Sequence, residues 1–283
     1  MPNLFEVAKE TLDIVEAGGY TAPSGRHVEI GALARAAREG TRLLTPQWLR
    51  ERMETRTAPA ASEVPVPVSP LRVEVTGETT GAACQRLVAE GESPMALNFA
   101  SAVEPGGGFL RQAKAQEEDL CRASALYPCL LTQPAYYDAN RASGSGLYTD
   151  HMIHSPAVPF FRDEPLELLE TPFAVSILTA PAPYAPLVLR DEPDARMLLR
   201  TTLARRARYV LLVAAEMGHR CLVLGAWGCG AFRNDPADAV DAFDGALREP
   251  GLRGSLSRVV FGVYESAPGQ PNRRAFQARF ATL

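Results

Sequence analysis

The chain has 283 residues and a net charge of −4, with its basic residues spread along the sequence. This length suits one large domain or one domain with an appendage. The charge pattern contains no basic patch that would indicate binding to nucleic acid or to an anionic membrane. Its five cysteines lie in apolar runs and form no CxxC pair, so neither a disulfide framework nor a structural zinc site is predicted.

The N-terminal region is predicted to be mainly helical. Its elements are a helix over Phe5–Val15 that stops at Gly18, a hairpin of Tyr20–Ala22 and His27–Ile30, a helix over Ala32–Glu39, and a helix starting near Thr45-Pro46. Proline-rich residues 58–70 then predict an extended linker. We therefore expect an accessory region over residues 1–70 and a main domain over residues 71–283.

Strand and helix signals alternate through the main body. The predicted strands are Leu71–Val75, Met95–Phe99, Phe173–Leu178, Cys221–Ala226 and Arg258–Tyr264, and the predicted helices are Glu78–Glu90, Gln116–Cys129, Asp194–Met217 and Pro236–Leu247. This alternation predicts an α/β fold, with helices on both faces of a largely parallel sheet. Ligands of such sheets bind beyond the carboxyl ends of the strands.

A glycine triplet follows the predicted strand Met95–Phe99. Gly106, Gly107 and Gly108 leave their backbone N–H groups unobstructed, so the chain there can close around an anionic or sugar ligand. After a seven-residue spacer, Gln116-Glu117-Glu118 begins a predicted helix. A strand, a glycine loop and a carboxylate-bearing helix N-terminus together indicate a site that processes a ligand.

A second glycine loop follows the predicted strand Cys221–Ala226 and runs to Pro236. Its spacing matches neither the P-loop nor the dinucleotide fingerprint. Unhindered N–H groups ahead of a helix nevertheless make a nest for an anion. Asn234 or Asp235 is expected to cap the helix. Phe232 is a candidate wall for a ribose or an adenine, and Trp227 is equally compatible with the core.

These motifs together resemble a known family. Asn98-Phe-Ala-Ser-Ala102, the sequence Pro-Gly-Gly-Gly, the spacer and Gln-Glu-Glu are similar to the signature of the poly(ADP-ribose) glycohydrolases, in their compact bacterial form. Leu222–Pro236 resembles the diphosphate-binding loop of that family. Ile153–Asp163 resembles its central hairpin, with His154 at a position where the family usually has an aromatic residue. The resemblance covers roughly residues 75–283.

The resemblance implies a macrodomain-like three-layer sandwich with a central mixed, largely parallel sheet. It makes Glu118 the catalytic acid/base and Glu117 a ribose ligand. It also implies the substrate-binding residues, namely Asn98, Gly106, Gly107, Gly108, Gln116, Gly228, Cys229, Gly230, Ala231 and Phe232. Neighbouring helical residues project roughly 100° apart, so Glu117 and Glu118 cannot flank a bond as the carboxylates of ordinary glycosidases do.

The activity that the resemblance implies is hydrolysis of ribose–ribose O-glycosidic bonds in poly(ADP-ribose), mainly from chain ends, with release of ADP-ribose. No metal or other cofactor is expected. The expected partners are poly(ADP-ribose), ADP-ribose and poly-ADP-ribosylated proteins, without nucleic acid or membrane. Removal of single ADP-ribose units and non-catalytic binding of ADP-ribose are the alternatives. A binding module has no need of two glutamates, and this argues against the second alternative.

Several other residues are less informative. His151 and His154 lack a third metal ligand and are assigned to packing, while Cys229 lacks a basic partner and is not interpreted as a nucleophile. Three tyrosines, Tyr136, Tyr137 and Tyr148, are as compatible with the core as with the rim of the site. No signal peptide is apparent, and prolines interrupt the uncharged run Thr171–Leu189, so a soluble cytoplasmic protein is expected.

Overall fold

The structure is a computed structural model that describes residues 3–57 and 70–280. Most of the proline-rich segment for which we predicted a linker, residues 58–69, lies outside the described residues. The helices are α1 (Leu4–Ala17), α2 (Gly31–Gly40), α3 (Pro46–Thr57), α4 (Thr80–Ala89), α5 (Gln116–Ala123), α6 (Leu126–Leu130), α7 (Pro134–Ala142), α8 (Ala185–Asp191), α9 (Arg196–Glu216), α10 (Pro236–Arg248), α11 (Pro250–Arg253) and α12 (Pro271–Phe280).

Strands β1 (Gly19–Thr21) and β2 (His27–Glu29) form the predicted hairpin. The other strands form a sheet in the order β3-β6-β7-β5-β8-β9-β4. Their bounds are β3 (Arg42–Leu44), β4 (Arg72–Thr76), β5 (Pro94–Phe99), β6 (Met152–Arg162), β7 (Leu168–Ala180), β8 (Cys221–Leu224) and β9 (Arg258–Gly262). Strands β7, β5, β8, β9 and β4 pair in parallel, whereas β6 is antiparallel to β3 and β7.

The central strands are buried on both faces. In β5, Met95 and Leu97 belong to the core that contains α9, α10 and α12, whereas Ala96 belongs to the core that contains α2, α4 and α5. This alternation follows from the two-residue period of a strand, and continuous apolar runs are typical of parallel strands covered by helices. The predicted α/β sandwich with a mixed, largely parallel sheet is confirmed.

The described part of the N-terminal region is joined to the main sheet. Strand β3 pairs with β6, with Arg42 opposite His154 and Leu44 opposite Met152. Three residues are too few for a strand to stand out by its alternation, so β3 was not predicted. The domain boundary at residue 70 stays a prediction. Strand β3 lies before this boundary, yet it contributes backbone hydrogen bonds to a sheet whose other strands lie after it.

The helix predicted over Gln116–Cys129 is instead two helices, α5 and α6. Ser124 ends α5 in an extended conformation (φ −149°, ψ 176°) and forms an isolated bridge with Phe160 of β6. The Ser124 hydroxyl donates to the Leu120 carbonyl oxygen and accepts from the Leu126 N–H. Contact with the sheet therefore overrides the helical pattern. Helices α7, α8, α11 and α12 were not predicted. The predicted hairpin around Ile153–Asp163 is confirmed as β6 and β7.

His154 gives a test of stability against pH. The imidazole is buried, and neither ring nitrogen has a partner among the described residues. Burial, together with nearby His219 and Arg42, lowers the pKa of His154 to about 4 from 6.5. His154 therefore binds a proton below pH 6.5 in the unfolded chain, but only below about pH 4 in the folded chain. Stability must fall as the pH drops through this window.

We expect His154→Phe to remove this loss, because Phe preserves a buried ring without a titrating group. The free energy of unfolding of the variant, minus that of wild type, should rise by up to about 3 kcal/mol as the pH falls from 8 to 4. Urea titrations at several pH values measure this difference. Parallel pH profiles for the two proteins would show that His154 does not carry the effect.

Candidate active site

A cleft of about 680 Å³ opens at the carboxyl ends of β5, β8 and β9. Its lining includes the first residues of α5 and the segments that follow those three strands. Among the lining residues are Ser101, Gln116, Glu117, Glu118, Gly228, Gly230, Ala231, Phe232, Tyr264 and Asn272. This position is the one expected for a ligand of a parallel α/β sheet, and the volume suits a ligand of nucleotide size.

Glu117 and Glu118 lie at the start of α5 and are both buried. Glu117 accepts hydrogen bonds from the Ser101 N–H at Oε2 (2.7 Å) and from the Asn98 amide at Oε1 (3.1 Å). Glu118 accepts from the Gly108 N–H at Oε1 (2.8 Å). Separate donors therefore orient the two carboxyl groups, one set at the end of β5 and the other in the glycine loop.

Gly107 lies where the two carboxyl groups converge. Its φ is +57°, and a Cβ there would lie 2.5 Å from Glu118 Oε1 and 3.2 Å from Glu117 Oε2. Only glycine satisfies both the backbone conformation and the space. The Gly107 N–H donates to the Glu104 carbonyl oxygen. The N–H groups of Gly107 and Gly108 therefore already donate to acceptors within the protein. Contacts between the glycine triplet and a substrate stay a prediction.

Burial raises the pKa of Glu117 to about 8, even though its hydrogen bonds from Ser101 and Asn98 favour the charged form. Burial is the larger effect because the carboxyl group is withdrawn from water. Glu117 therefore holds a proton near neutral pH. The nearby carboxyl group of Glu118, which converges on the same glycine, also raises the pKa of Glu117.

Asn98 and Gln116 support the site from behind. Asn98 is fully buried, and its amide nitrogen donates to Glu117 and to the Thr179 hydroxyl. The Gln116 amide accepts from the Phe99 N–H (2.8 Å) and donates to the Leu97 carbonyl oxygen (2.8 Å), which ties the start of α5 to β5. Direct contacts of these two side chains with substrate stay predictions.

The loop after β8 has the features of an anion nest. Within the described part of the chain, the N–H groups of Gly228, Gly230, Ala231 and Phe232 have no hydrogen-bond acceptor. Of the two candidate caps of α10, Asp235 is the one that accepts from Ala237 N–H. Asn234 instead donates to the carbonyl oxygens of Gly228 and Pro183 and so holds the loop in shape.

Aromatic residues form one side of this loop. The Phe232 ring packs near Tyr184 and Tyr148, with centroids 5.4 Å and 6.2 Å away. Trp227 belongs to the core, where its indole N–H donates to the Ala180 carbonyl oxygen. Tyr136 and Tyr137 are also core residues, so of the three tyrosines only Tyr148 lies beside Phe232.

Burial raises the pKa of the Cys229 thiol to about 12, so the group stays protonated at neutral pH. This agrees with the prediction that Cys229 is not a nucleophile. Cys229, Asn98 and the glycine triplet lie beside or behind the cleft, whereas the other predicted site residues line it.

Sequence reasoning missed several lining residues. Tyr264 is 60% exposed on the cleft, and Ser101 and Asn272 also line it. Ser101 and Tyr264 lie two residues after the ends of β5 and β9, so the usual position of ligands at strand ends was a signal that could have identified them. Asn272 had no such signal. Within residues 3–57 and 70–280, no cluster of three potential metal ligands occurs, and no helix is long and apolar enough to cross a membrane.

Comparisons with known proteins agree with this geometry. The family model described as microbial-type PARG, catalytic domain, matches residues 8–163. A crystal structure of poly(ADP-ribose) glycohydrolase (PARG) from Thermomonospora curvata is 46% identical, with 98% of this chain and 99% of that chain covered and a TM-score of 0.89. The same protein bound to the inhibitor ADP-HPD is matched at 44% identity, with 98% and 99% covered and a TM-score of 0.88.

PARG from Deinococcus radiodurans in complex with ADP-ribose is 45% identical, with 90% of this chain and 99% of that chain covered and a TM-score of 0.79. A comparison with curated proteins gave no match. The family match covers more than half of the chain and begins within α1, so it includes part of the N-terminal region as well as both glutamates. The chain belongs to the microbial-type family of poly(ADP-ribose) glycohydrolases.

Proposed function

We propose that this protein hydrolyses the ribose–ribose O-glycosidic bonds of poly(ADP-ribose) and releases ADP-ribose. One observation carries the proposal: two buried glutamates share a single cleft with a loop of unpaired backbone N–H groups. The loop suits a diphosphate, and the glutamates suit glycoside hydrolysis. Two of the similar structures are complexes with ADP-ribose and with the inhibitor ADP-HPD, which supports this assignment.

The diphosphate is proposed to bind the amides of Gly228, Gly230, Ala231 and Phe232, where the N-terminus of α10 adds positive potential. This places the terminal ribose between the loop and α5. Glu118 then donates a proton to the glycosidic oxygen as the C–O bond breaks, and this oxygen leaves as a hydroxyl of the departing ribose. The resulting oxocarbenium-like ribose is stabilised by the diphosphate. The carboxylate of Glu118 takes a proton from water, which adds to the ribose carbon.

Glu117 is proposed to orient the ribose. Its neutral carboxyl group can donate one hydrogen bond to a ribose hydroxyl and still accept the bonds from Ser101 and Asn98. These different roles follow from the environment of each group, since Glu117 is held by donors at the end of β5 and Glu118 by a donor in the glycine loop. The two neighbouring carboxyls then have different tasks at one sugar.

Cleavage is proposed to proceed mainly from chain ends. The turn after β9 contributes Tyr264, Ser266 and Asn272 to the cleft, and Glu265 holds this turn by accepting from the backbone N–H and the side-chain amide of Asn272. A wall at this position would leave no path for a polymer that continues beyond the bound unit. None of residues 3–57 lines the cleft. Among the described residues, we therefore assign the closure to this C-terminal turn rather than to the N-terminal region.

The test is the product ladder from long poly(ADP-ribose) at early reaction times. We expect monomeric ADP-ribose to appear from the start, because a closed cleft admits only a terminal unit. Abundant short oligomers in the first minutes would instead indicate internal cutting. EDTA in the same assay is expected to leave the rate unchanged, and an inhibition that zinc or magnesium reverses would contradict a metal-free mechanism.

A parallel incubation with mono-ADP-ribosylated protein separates the alternative functions. Release of ADP-ribose from mono-ADP-ribosylated protein, without action on polymer, would identify a mono-ADP-ribosyl hydrolase. Binding without any release would identify a reader module. The proposed macromolecular partners are poly-ADP-ribosylated proteins. All five cysteines are free thiols, which supports a reducing compartment such as the cytoplasm.

Gly230→Val tests the diphosphate loop. A Cβ at Gly230 meets no atom within 4 Å, so Val should leave the loop intact while its branched side chain obstructs the approach of a ligand to the free amides. We expect the affinity for ADP-ribose to fall by about tenfold or more, equivalent to about 1.4 kcal/mol. Isothermal titration calorimetry measures the change.

Gly245→Val is the matched control, because a Cβ at Gly245 in α10 also meets open space and this residue does not line the cleft. Gly228→Val is a less specific test. Gly228 has a φ of +77°, and a Cβ there would lie 2.6 Å from both Ala182 and Asn234, so this variant would also distort the loop. Unchanged affinity in Gly230→Val would rule out the proposed role of the nest.

A further inference from the structure

Arg122 has an unusual environment for a charged residue. It lies in the last turn of α5, four residues after Glu118, and its side chain is completely buried. Its guanidinium donates through Nη2 to the carbonyl oxygens of Phe109 (3.2 Å) and Ala113 (2.6 Å). Nε donates to the Leu4 carbonyl oxygen (3.3 Å) and Nη1 to Asp119 Oδ1 (3.3 Å).

Two of these carbonyls belong to the spacer between the glycine triplet and Gln116. The spacer is a closed loop, since the N–H groups of Arg111 and Ala113 both donate to the Gly108 carbonyl oxygen. The Arg122 guanidinium bridges the carbonyl oxygens of Phe109 and Ala113, at the two ends of this closed loop. Its central carbon lies 5.9 Å from the centre of the Phe109 ring. Gly108, next to Phe109, donates the hydrogen bond that orients Glu118.

Helix α1 meets the same residue from the other side. Besides the Leu4 carbonyl, the buried Thr11 hydroxyl donates to the backbone carbonyl oxygen of Arg122 (2.7 Å). That hydroxyl also accepts from Nε of Arg162 (3.2 Å), and Arg162 is paired with Glu10 (2.6 Å). The N-terminal helix is therefore bonded to α5 and to the end of β6, although it does not line the cleft.

We infer that Arg122 is the positioning residue of Glu118, and that through it helix α1 holds the spacer in the shape that catalysis requires. The inference depends on the proposed role of Glu118. A fully buried charge is costly unless its donors are satisfied, and Arg122 meets four acceptors from three segments of the chain. Removing the guanidinium frees the spacer, and the Gly108 N–H no longer fixes the Glu118 carboxyl.

Lysine cannot replace Arg122 in this role. Its ammonium has three donors on one atom, whereas the guanidinium has five donors in a planar fork that reaches separate carbonyls. We expect Arg122→Lys to lower kcat by about 10- to 100-fold while KM and the affinity for ADP-ribose change by less than about threefold. The diphosphate loop lies on another element, and for this reason binding should persist.

Hydrogen exchange gives a readout that general destabilisation would not imitate. In Arg122→Lys, the amides of Phe109, Arg111 and Ala113 should exchange faster, while those of Arg233 and Asn234 in the loop after β8 stay unchanged. Arg258→Lys is the matched control. Arg258 is also a buried arginine, paired with Glu74 and Glu90 at the opposite ends of the strands, and its loss should lower stability without lowering kcat.

Two substitutions of Thr11 perturb the structure less than Arg122→Lys does. They test whether helix α1 acts through Arg122 even if Arg122→Lys fails to fold. Thr11→Val keeps the shape and removes the hydroxyl, and Thr11→Ser keeps the hydroxyl. We expect kcat to fall by about fivefold or more in Thr11→Val and to stay within about twofold of wild type in Thr11→Ser.

A folded Arg122→Lys with kcat within about twofold of wild type, or equal kcat for both Thr11 variants, would overturn the inference. An inactive wild-type protein would instead refute the proposed function itself, so the two failures are distinguishable.

Discussion

Glu118→Gln is expected to lower the rate of poly(ADP-ribose) hydrolysis by about 10²- to 10⁴-fold, the usual contribution of a general acid/base. The substitution removes the proton donor and preserves the shape of the side chain. The affinity for ADP-ribose should stay within several-fold of wild type, because the loop after β8 is unchanged. Single-turnover kinetics and calorimetry measure the two quantities separately.

Glu54→Gln is the control for this variant, since Glu54 is an exposed carboxylate of α3 outside the cleft. Glu117→Ala should also weaken activity, through a misplaced ribose. If Glu118→Gln retains more than about a tenth of wild-type turnover, then Glu118 is not the general acid/base.

Gly107→Ala is expected to lower kcat by about 10²-fold, because a small misplacement of a catalytic group has a large effect on rate. The new methyl group would lie 2.5 Å from Glu118 Oε1, so the carboxyl group must move. The left-handed backbone of Gly107 adds about 1–2 kcal/mol of strain for any other residue. Steady-state kinetics and thermal unfolding distinguish the two effects.

Gly91→Ala isolates the strain. Gly91 has a φ of +86°, yet a Cβ there meets no atom within 4 Å. This control should lose stability and keep kcat. Equal kcat for Gly107→Ala and Gly91→Ala would mean that the position of the Glu118 carboxyl does not limit the reaction.

The main elements of the sheet and its flanking helices were predictable because they depend on local pattern. The apolar runs of β5, β8 and β9 alternate between two cores, and long helices such as α9 carry buried residues at helical spacing. The break between α5 and α6 was not predictable, since it depends on a bridge between Ser124 and a strand more than thirty residues later. Likewise, β3 exists because β6 offers it hydrogen-bonding partners.

The sequence by itself indicated the family and the position of the site. The spacing of the glycine triplet and Gln116-Glu117-Glu118 indicated the family, and two glycine loops after strands indicated one cleft at the carboxyl edge of the sheet. These features are local, whereas the strand order that brings them together was shown by the structure.

Only the tertiary structure decided how those residues are used. It showed that the Gly108 N–H donates to the Glu118 carboxyl, that a side chain at Gly107 would displace this carboxyl, and that Gln116 is bonded to β5. Burial in the folded protein also raises the pKa of Glu117 to about 8. The tertiary structure also placed Arg122 between α1 and the spacer. Hydrogen-bond partners and burial depend on segments far apart in the chain, so no local pattern contains them.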